Sequence, residues 1–200
     1  MAGRKLEFNR EQALEKAMEL FWAKGYNAVG LTELLQQMGI QRQSLYNTFG
    51  CKHALFLEAV QHYGQTVVCQ IKGQLNQPGS PLENLRYVLR KIASDAACPQ
   101  YRGCFVANAM MELAPHDPEV ATVVSQLAQQ IEQAIARTVT RAVAAQELPA
   151  DVDPQKVARF LYHVILGFNV RGKICPSQNC VDDILTTALS ILKPEEGSRE

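Results

Sequence analysis

The chain has 200 residues, of which 47% are hydrophobic, and its 20 basic residues balance 20 acidic ones. This length and composition fit one large or two small globular domains, and the zero net charge argues against a general polyanion binder without excluding a specific DNA reader. No apolar run reaches the roughly 18 residues of a membrane span, and the N-terminus lacks the apolar stretch of a secretory signal, so we expect a cytoplasmic protein with no membrane association.

Apolar residues recur with helical spacing along almost the whole chain, and no segment alternates as a strand would. The first helix begins after the capping residue Asn9 and ends at Gly25. Further helices are predicted over residues 31–38, 42–48, 52–74, 82–96, 103–113, 118–146, 154–173 and 177–192, and the charged tail 194–200 is expected to be disordered. The fold class is therefore all-α, with about nine helices.

The two short helices at 31–38 and 42–48 have the spacing of a helix-turn-helix, with Gly39 in the turn. Apolar residues supply the inner face of the pair: Leu31, Leu34, Leu35, Ile40, Leu45 and Phe49. Polar residues of the second helix project the other way, as a helix lying in the major groove requires: Arg42, Gln43, Tyr46 and Asn47. The segment 34–57 has no acidic residue. Three short helices also occur in enzymes and adaptors, so spacing alone leaves the function open.

The same region resembles the DNA-binding head of TetR (tetracycline-repressor) regulators. The matching residues are Ala17 to Phe21, Lys24-Gly25-Tyr26, Leu31 to Leu35, Met38-Gly39-Ile40, Ser44-Leu45-Tyr46, Phe49, Lys52 and Leu55. The resemblance implies a helix-turn-helix domain over residues 1–60, and a ligand-binding and dimerisation domain over 61–200 that a long fourth helix joins to it. It further implies a homodimer that binds double-stranded operator DNA and is released by a small-molecule inducer, usually as a repressor.

The resemblance also assigns roles to individual residues. Thr32, Tyr46 and Lys52 would contact phosphate, and the groove-facing residues would be Arg42, Gln43, Ser44 and Asn47. Tyr46 could instead pack beside Phe49. A lysine at the start of a helix is poorly placed for the helix dipole, which favours an external partner for Lys52 over a purely solvated role.

The C-terminal part contains a candidate pocket for a mostly apolar effector, lined by Phe105, Asn108, Met111, Glu112, Ile131, Phe160, His163 and Phe168. Glu112 lies in an apolar helix and therefore needs a partner, for which Arg102, Arg171 or a ligand are candidates. His163 fits a core histidine as well as a ligand contact.

Two apolar stripes near the C-terminus are predicted to form the dimer interface as a four-helix bundle. They comprise Val157, Leu161, Val164, Ile165, Ile184, Leu185, Ala188 and Ile191. The alternative is that both stripes face the core of their own chain. We favour the dimer because a helix-turn-helix head gains affinity from a second half-site.

The six cysteines have no C-x-x-C pair and no common zinc spacing, so no metal site is expected. We also expect no cofactor and no catalytic residues. Cys51 is a candidate redox thiol, since it stands at a helix start beside Lys52. Two alternative functions stay open: a thiol-based redox-sensing regulator of the same fold, and an all-α enzyme or carrier.

Overall fold

A computed structural model describes residues 8–174 and 177–192. Within these residues the chain forms nine α-helices and no strand, which confirms the predicted fold class. The helices are α1 (Arg10–Lys24), α2 (Leu31–Met38), α3 (Arg42–Phe49), α4 (Lys52–Leu75), α5 (Pro81–Ala96), α6 (Phe105–Glu112), α7 (Pro118–Ala144), α8 (Pro154–Arg171) and α9 (Gln178–Ser190). The predicted disordered tail, 194–200, lies outside the described residues.

The helix boundaries follow from capping residues that the sequence shows. The side chain of Asn9 accepts a hydrogen bond from the backbone N–H of Gln12 at the start of α1. Gly25 ends α1 with φ 82° and ψ 165°, a backbone conformation open essentially to glycine alone. Gly39 ends α2 in the left-handed conformation, and this turn leads into α3. Capping and glycine residues in the local sequence therefore determine where α1 begins and where α1 and α2 end.

Most of the predicted helices differ from the structure by one or two residues at an end, and two of these differences have a clear backbone cause. α6 begins at Phe105 rather than residue 103, because Gly103 has φ 76° and cannot continue an α-helix. α8 ends at Arg171, and the predicted extension to residue 173 lies in a single 3₁₀ turn, Gly172–Ile174. A 3₁₀ turn is a common way for a helix to finish.

The described residues divide into two compact units. The N-terminal unit consists of the residues up to Gln65 together with Phe105–Ser125. Its core contains a chain of aromatic contacts, Phe21 to Phe56 to Phe105 to Tyr63 to Trp22, with ring centroids 4.9–5.9 Å apart. α6 is therefore part of the same compact body as the predicted DNA-binding head.

The C-terminal unit consists of Thr66–Cys104 and the residues from Gln126 onward. Its core is built from α5, α7, α8, α9 and the end of α4, and it includes the fully buried residues Leu85, Ile135 and Leu161. The guanidinium of Arg141 donates to the carbonyl of Leu75 over 2.6 Å, which ties the end of α4 to α7. The functional division at residue 60 stays a prediction, since compact packing does not test it.

None of the helices in the described residues combines the length and the apolar character that crossing a bilayer would require.

Candidate nucleic-acid interface

The helix-turn-helix is formed by α2, the Gly39 turn and α3. Leu34, Met38, Leu45 and Phe49 are buried, so both helices turn their apolar faces into the N-terminal unit. Gly30 precedes α2 without a side-chain cap, and Thr32 is exposed in the first turn. This places the hydroxyl of Thr32 at a helix start, where backbone N–H groups favour anions such as phosphate.

The outer face of α3 carries the predicted groove-facing residues. Arg42, Gln43 and Asn47 are exposed, as is Tyr46, with 41% of its surface accessible. Ser44 is half-buried. The exposed ring of Tyr46 fits an external contact better than packing beside Phe49.

Within that face, side chains one helical turn apart contact each other. The amide Nε2 of Gln43 donates to Oδ1 of Asn47 over 2.9 Å. The guanidinium of Arg42 lies 5.9 Å from the ring centroid of Tyr46, within the range of a cation–π contact. The four side chains are thus ordered as two pairs.

Arg10 braces the end of α3, a role that the sequence did not reveal. Its guanidinium makes two contacts with the carboxylate of Glu58, at 2.7 and 2.8 Å, and lies 4.9 Å from the ring centroid of Phe49. α1, α3 and α4 are therefore held together at this point. Arg10 lies outside the matching residues, which begin at Ala17, so the family resemblance offered no signal for it.

Lys52 has a partner within the chain. Its Nζ donates to the carbonyl oxygen of Tyr26 over 2.7 Å and lies 4.1 Å from the centroid of the Tyr26 ring. Partial burial lowers the pKa of Lys52, against an opposing effect of Glu112. The internal partner explains why a lysine stands at this helix start, and the argument for an external partner from the helix dipole no longer holds.

Glu112 binds the turn between α1 and α2. Its carboxylate accepts hydrogen bonds from the backbone N–H groups of Tyr26, at 3.1 Å, and Asn27, at 2.9 Å. A Cβ on Gly25 would stand 2.8 Å from Oε2 of Glu112, so the missing side chain permits this approach. The partners are backbone groups rather than the predicted Arg102 or Arg171, and no side-chain pattern in the sequence could have indicated them.

A second contact joins the α6–α7 connection to the head. Nε2 of His53 lies 2.6 Å from Oδ2 of Asp117. Asp117 also caps α7, because its Oδ1 accepts from the N–H groups of Glu119 and Val120. The hydrogen bond from Val120, followed by that with His53, lowers the pKa of the Asp117 carboxyl.

Cys51 is exposed and caps α4, since its Sγ accepts a hydrogen bond from the N–H of Ala54 at 3.3 Å. Within the described residues, no three His, Cys, Asp or Glu side chains cluster as a metal site would require.

The eight predicted pocket residues fall in both units. Phe105, Asn108, Met111 and Glu112 belong to the N-terminal unit, and Ile131, Phe160, His163 and Phe168 to the C-terminal unit. Phe105 and Phe168 are buried, whereas Met111 and Phe160 are nearly half exposed. His163 is neither a core residue nor enclosed, because it lies on the exposed side of α8 with Nδ1 2.7 Å from the carbonyl of Arg159. Glu112 already has its partners in the α1–α2 turn.

The eight predicted interface residues also separate by burial. Leu161, Ile165 and Ala188 are buried against their own chain, so they serve the monomer's core, which was the alternative interpretation. Val157, Val164 and Leu185 pack partly against that core. Ile184 and Ile191 are each 40% exposed. The exposed apolar side chains of this region are Phe160, Val170, Ile174, Ile184 and Ile191.

A turn-linked helix pair with a buried apolar side and an exposed polar face of Arg, Gln, Tyr and Asn defines a helix-turn-helix DNA-binding protein. Residues 13–59 match the family model described as bacterial regulatory proteins, tetR family. Residues 81–188 match the model described as tetracyclin repressor-like, C-terminal domain. The chain belongs to the TetR family of bacterial transcription regulators.

Similar proteins agree with this assignment over almost the whole chain. The uncharacterized HTH-type transcriptional regulator YezE of Bacillus subtilis (strain 168) is 33% identical, over 95% of this chain and 99% of its own. The HTH-type transcriptional repressor ComR of Escherichia coli (strain K12) is 27% identical, over 94% and 91%. A solved structure of a cysteine mutant of the TetR family regulator CifR, complexed with 26 bp double-strand operator DNA, has a TM-score of 0.81 at 28% identity and covers 94% of this chain and 98% of that one.

Proposed function

We propose that this regulator is a homodimeric repressor that binds a palindromic operator and leaves it when a small, mostly apolar effector binds. The observation that carries the proposal is the face of α3, where four polar side chains are exposed above buried Leu45 and Phe49. A rigid helix with that division of polarity can enter the major groove without exposing its apolar anchor. Such a regulator would act in the cytoplasm, beside the chromosome.

The protein would make two kinds of contact with DNA, to phosphates and to base edges. Thr32, Tyr46 and the remaining N–H groups of Lys52 would contact phosphates, which set orientation and salt dependence without reading sequence. Arg42, Gln43 and Asn47 would contact base edges, with arginine suited to guanine and the Gln43 amide suited to adenine. Ser44 would support them from the edge of the face.

The homodimer would use the exposed apolar face of α8 and α9. Phe160 and Val170 of α8 and Ile184 of α9 are 40–45% exposed, with Gly167 also exposed between the first two. Because large apolar side chains on one face lose water contact when two copies meet, this face fits a symmetric four-helix interface. It replaces the predicted set in which Leu161, Ile165 and Ala188 took part.

The effector would act on α6. α6 begins one residue after the C-terminal unit's first segment ends, and it belongs to the N-terminal unit through Phe105 and Glu112. A ligand that favours a different position of α6 would therefore strain the contacts of Glu112 and Asp117 with the head. A coupling free energy of about 1–3 kcal/mol would suffice for operator release.

The first test is selection of bound duplexes from a randomised DNA pool by the full chain. We expect enrichment of a palindrome whose half-sites lie about one helical turn apart. The Arg42→Ala variant should relax preference at a single position in each half-site, whereas Tyr87→Ala, on an exposed side chain of α5, should select the parent's site. A parent chain that enriches no palindrome would overturn the proposal.

The dimer is tested by sedimentation of Phe160→Arg and Ile184→Arg against Tyr87→Arg as the matched control. Tyr87 is 52% exposed but lies on α5, outside the proposed face. Both α8–α9 variants should sediment as monomers at concentrations where the control remains a dimer. If all three behave alike, the dimer does not form through this face.

A thiol signal at Cys51 is the second candidate, because its exposed sulfur lies at the start of α4 near the DNA-facing helix. Oxidation there would add negative charge close to phosphate and so weaken binding. The test compares operator affinity after mild peroxide for the parent and for Cys51→Ser. Equal loss in both would exclude Cys51 as the sensor and leave the small-molecule effector.

A further inference from the structure

The exposed face of α3 carries an ordered amide pair. The bond from Nε2 of Gln43 to Oδ1 of Asn47 joins residues four apart in the helix, a spacing at which such side-chain pairs stabilise each other. Both side chains are exposed, so their remaining polar atoms face solvent. The bond therefore orients the two amides relative to each other.

This bond divides the remaining hydrogen-bonding capacity unequally. A primary amide has two N–H donors and an oxygen with two lone pairs. The bond uses one N–H of Gln43 and one lone pair of Asn47. Gln43 thus keeps a wholly free acceptor oxygen, and Asn47 keeps a wholly free donor group. The side that faces DNA has a defined polarity, acceptor-rich at Gln43 and donor-rich at Asn47.

We infer that Gln43 and Asn47 read the operator as one coupled unit, with Gln43 as the leading acceptor and Asn47 as the leading donor. The inference deepens the proposed function and rests on it. In the major groove, adenine N6 and cytosine N4 are donors, adenine N7 is an acceptor beside that donor, and guanine N7 and O6 and thymine O4 offer acceptors alone. Gln43 then favours a donor-bearing base, and Asn47 favours an acceptor on the neighbouring base pair.

Coupling of the two amides would also reduce the loss of side-chain freedom that opposes binding to DNA. An exposed side chain with several rotamers loses freedom when it is fixed against DNA, and this loss opposes binding. A pair that is already joined loses less, but only while both members are present. Removal of either residue should therefore release the other, so that each single variant disturbs what its partner reads.

The Arg42–Tyr46 pair offers an internal comparison. The guanidinium and ring are 5.9 Å apart in a contact that does not select particular donor or acceptor atoms. Arg42 should therefore read its base independently of the amide pair, although it lies on the same face and next to Gln43.

The test is selection from a randomised duplex pool with the full chain as parent, Gln43→Ala, Asn47→Ala and the double variant. Each single variant should lose discrimination, roughly tenfold, at the same neighbouring base pairs. The double variant should lose little more than either single one. In the control, Gln43→Ala combined with Arg42→Ala should give losses that multiply. Separate positions with multiplying losses for the amide pair would overturn the inference.

A change of polarity sharpens the test. In Gln43→Glu the carboxylate cannot donate, so the pair re-forms only if Asn47 turns its amide and donates with Nδ2. Asn47 would then present its oxygen, and preference at its base pair should move from guanine or thymine, which offer only acceptors, towards adenine or cytosine, which offer a donor. An unchanged relative preference would overturn the inference. A parent that selects no palindrome would overturn the proposed function itself, which distinguishes the two failures.

Discussion

Replacing Glu112 tests whether α6 holds the turn between α1 and α2 in place. The carboxylate accepts two backbone N–H groups, those of Tyr26 and Asn27. Hydrogen bonds to a charged group contribute about 1.5–3 kcal/mol each, and the half-buried position of Glu112 favours the lower value. Glu112→Ala should therefore lower the free energy of unfolding by about 3 kcal/mol, and Glu112→Gln, which keeps one acceptor oxygen, by about 1.5 kcal/mol.

The assay is urea unfolding at one protein concentration, followed by the fluorescence of Trp22. Trp22 is the single tryptophan of the chain, and its ring centroid lies 4.9 Å from that of Tyr63 inside the N-terminal unit. Glu15→Gln provides the matched control, since Glu15 is an exposed carboxylate on α1. If Glu112→Gln and Glu112→Ala both unfold within about 0.5 kcal/mol of the control, the range of ordinary surface substitutions, the carboxylate does not hold the turn.

Three further predictions follow from the same region. Gly25→Ala should lower the free energy of unfolding by about 1–3 kcal/mol, because Gly25 has a φ of 82° and Oε2 of Glu112 would lie 2.8 Å from the added Cβ. The control Gly73→Ala, in open space on α4, should raise it by up to about 1 kcal/mol. Equal effects of the two variants in urea unfolding would contradict the strain argument. The pKa of Asp117 is lowered in the folded chain, so its carboxylate contributes stability that is present above the unfolded pKa of about 3.9 and is lost as the pH falls through the folded value. The melting temperature of Asp117→Asn should therefore depend less on pH below about 5 than that of the parent. Parallel curves of melting temperature against pH would refute this. Lys52→Ala should weaken binding to every sequence and reduce the salt slope by about one, whereas an unchanged slope would mean that Lys52 acts only through Tyr26.

The sequence predicted the head well because its signals are local. Asn9, Gly25 and Gly39 act within one turn of their own positions, so capping and left-handed glycine rules place the helix ends. The alternation of Leu45 and Phe49 with exposed polar residues likewise lies within a single short helix. These features need no knowledge of the rest of the chain.

The sequence could not find contacts that depend on distant backbone. Glu112 binds N–H groups 85 and 86 residues away, and a backbone N–H has no side-chain identity to recognise. The predicted dimer face included buried residues for a different reason. α8 is apolar on more than one side, with Leu161 buried and Phe160 exposed, and helical periodicity does not tell which side faces the monomer's own core.

The grouping of Phe105–Ser125 with the N-terminal helices has a consequence for protein engineering. A chimaera that grafts residues 1–60 onto the remainder of another family member would sever Tyr26 and His53 from the Glu112 and Asp117 with which they are matched. The grafted helix-turn-helix domain would then pack against residues of the other protein in place of Glu112 and Asp117. A transplant that carries 105–125 along with 1–65 keeps these contacts, so the exchangeable module of this regulator is discontinuous in the gene.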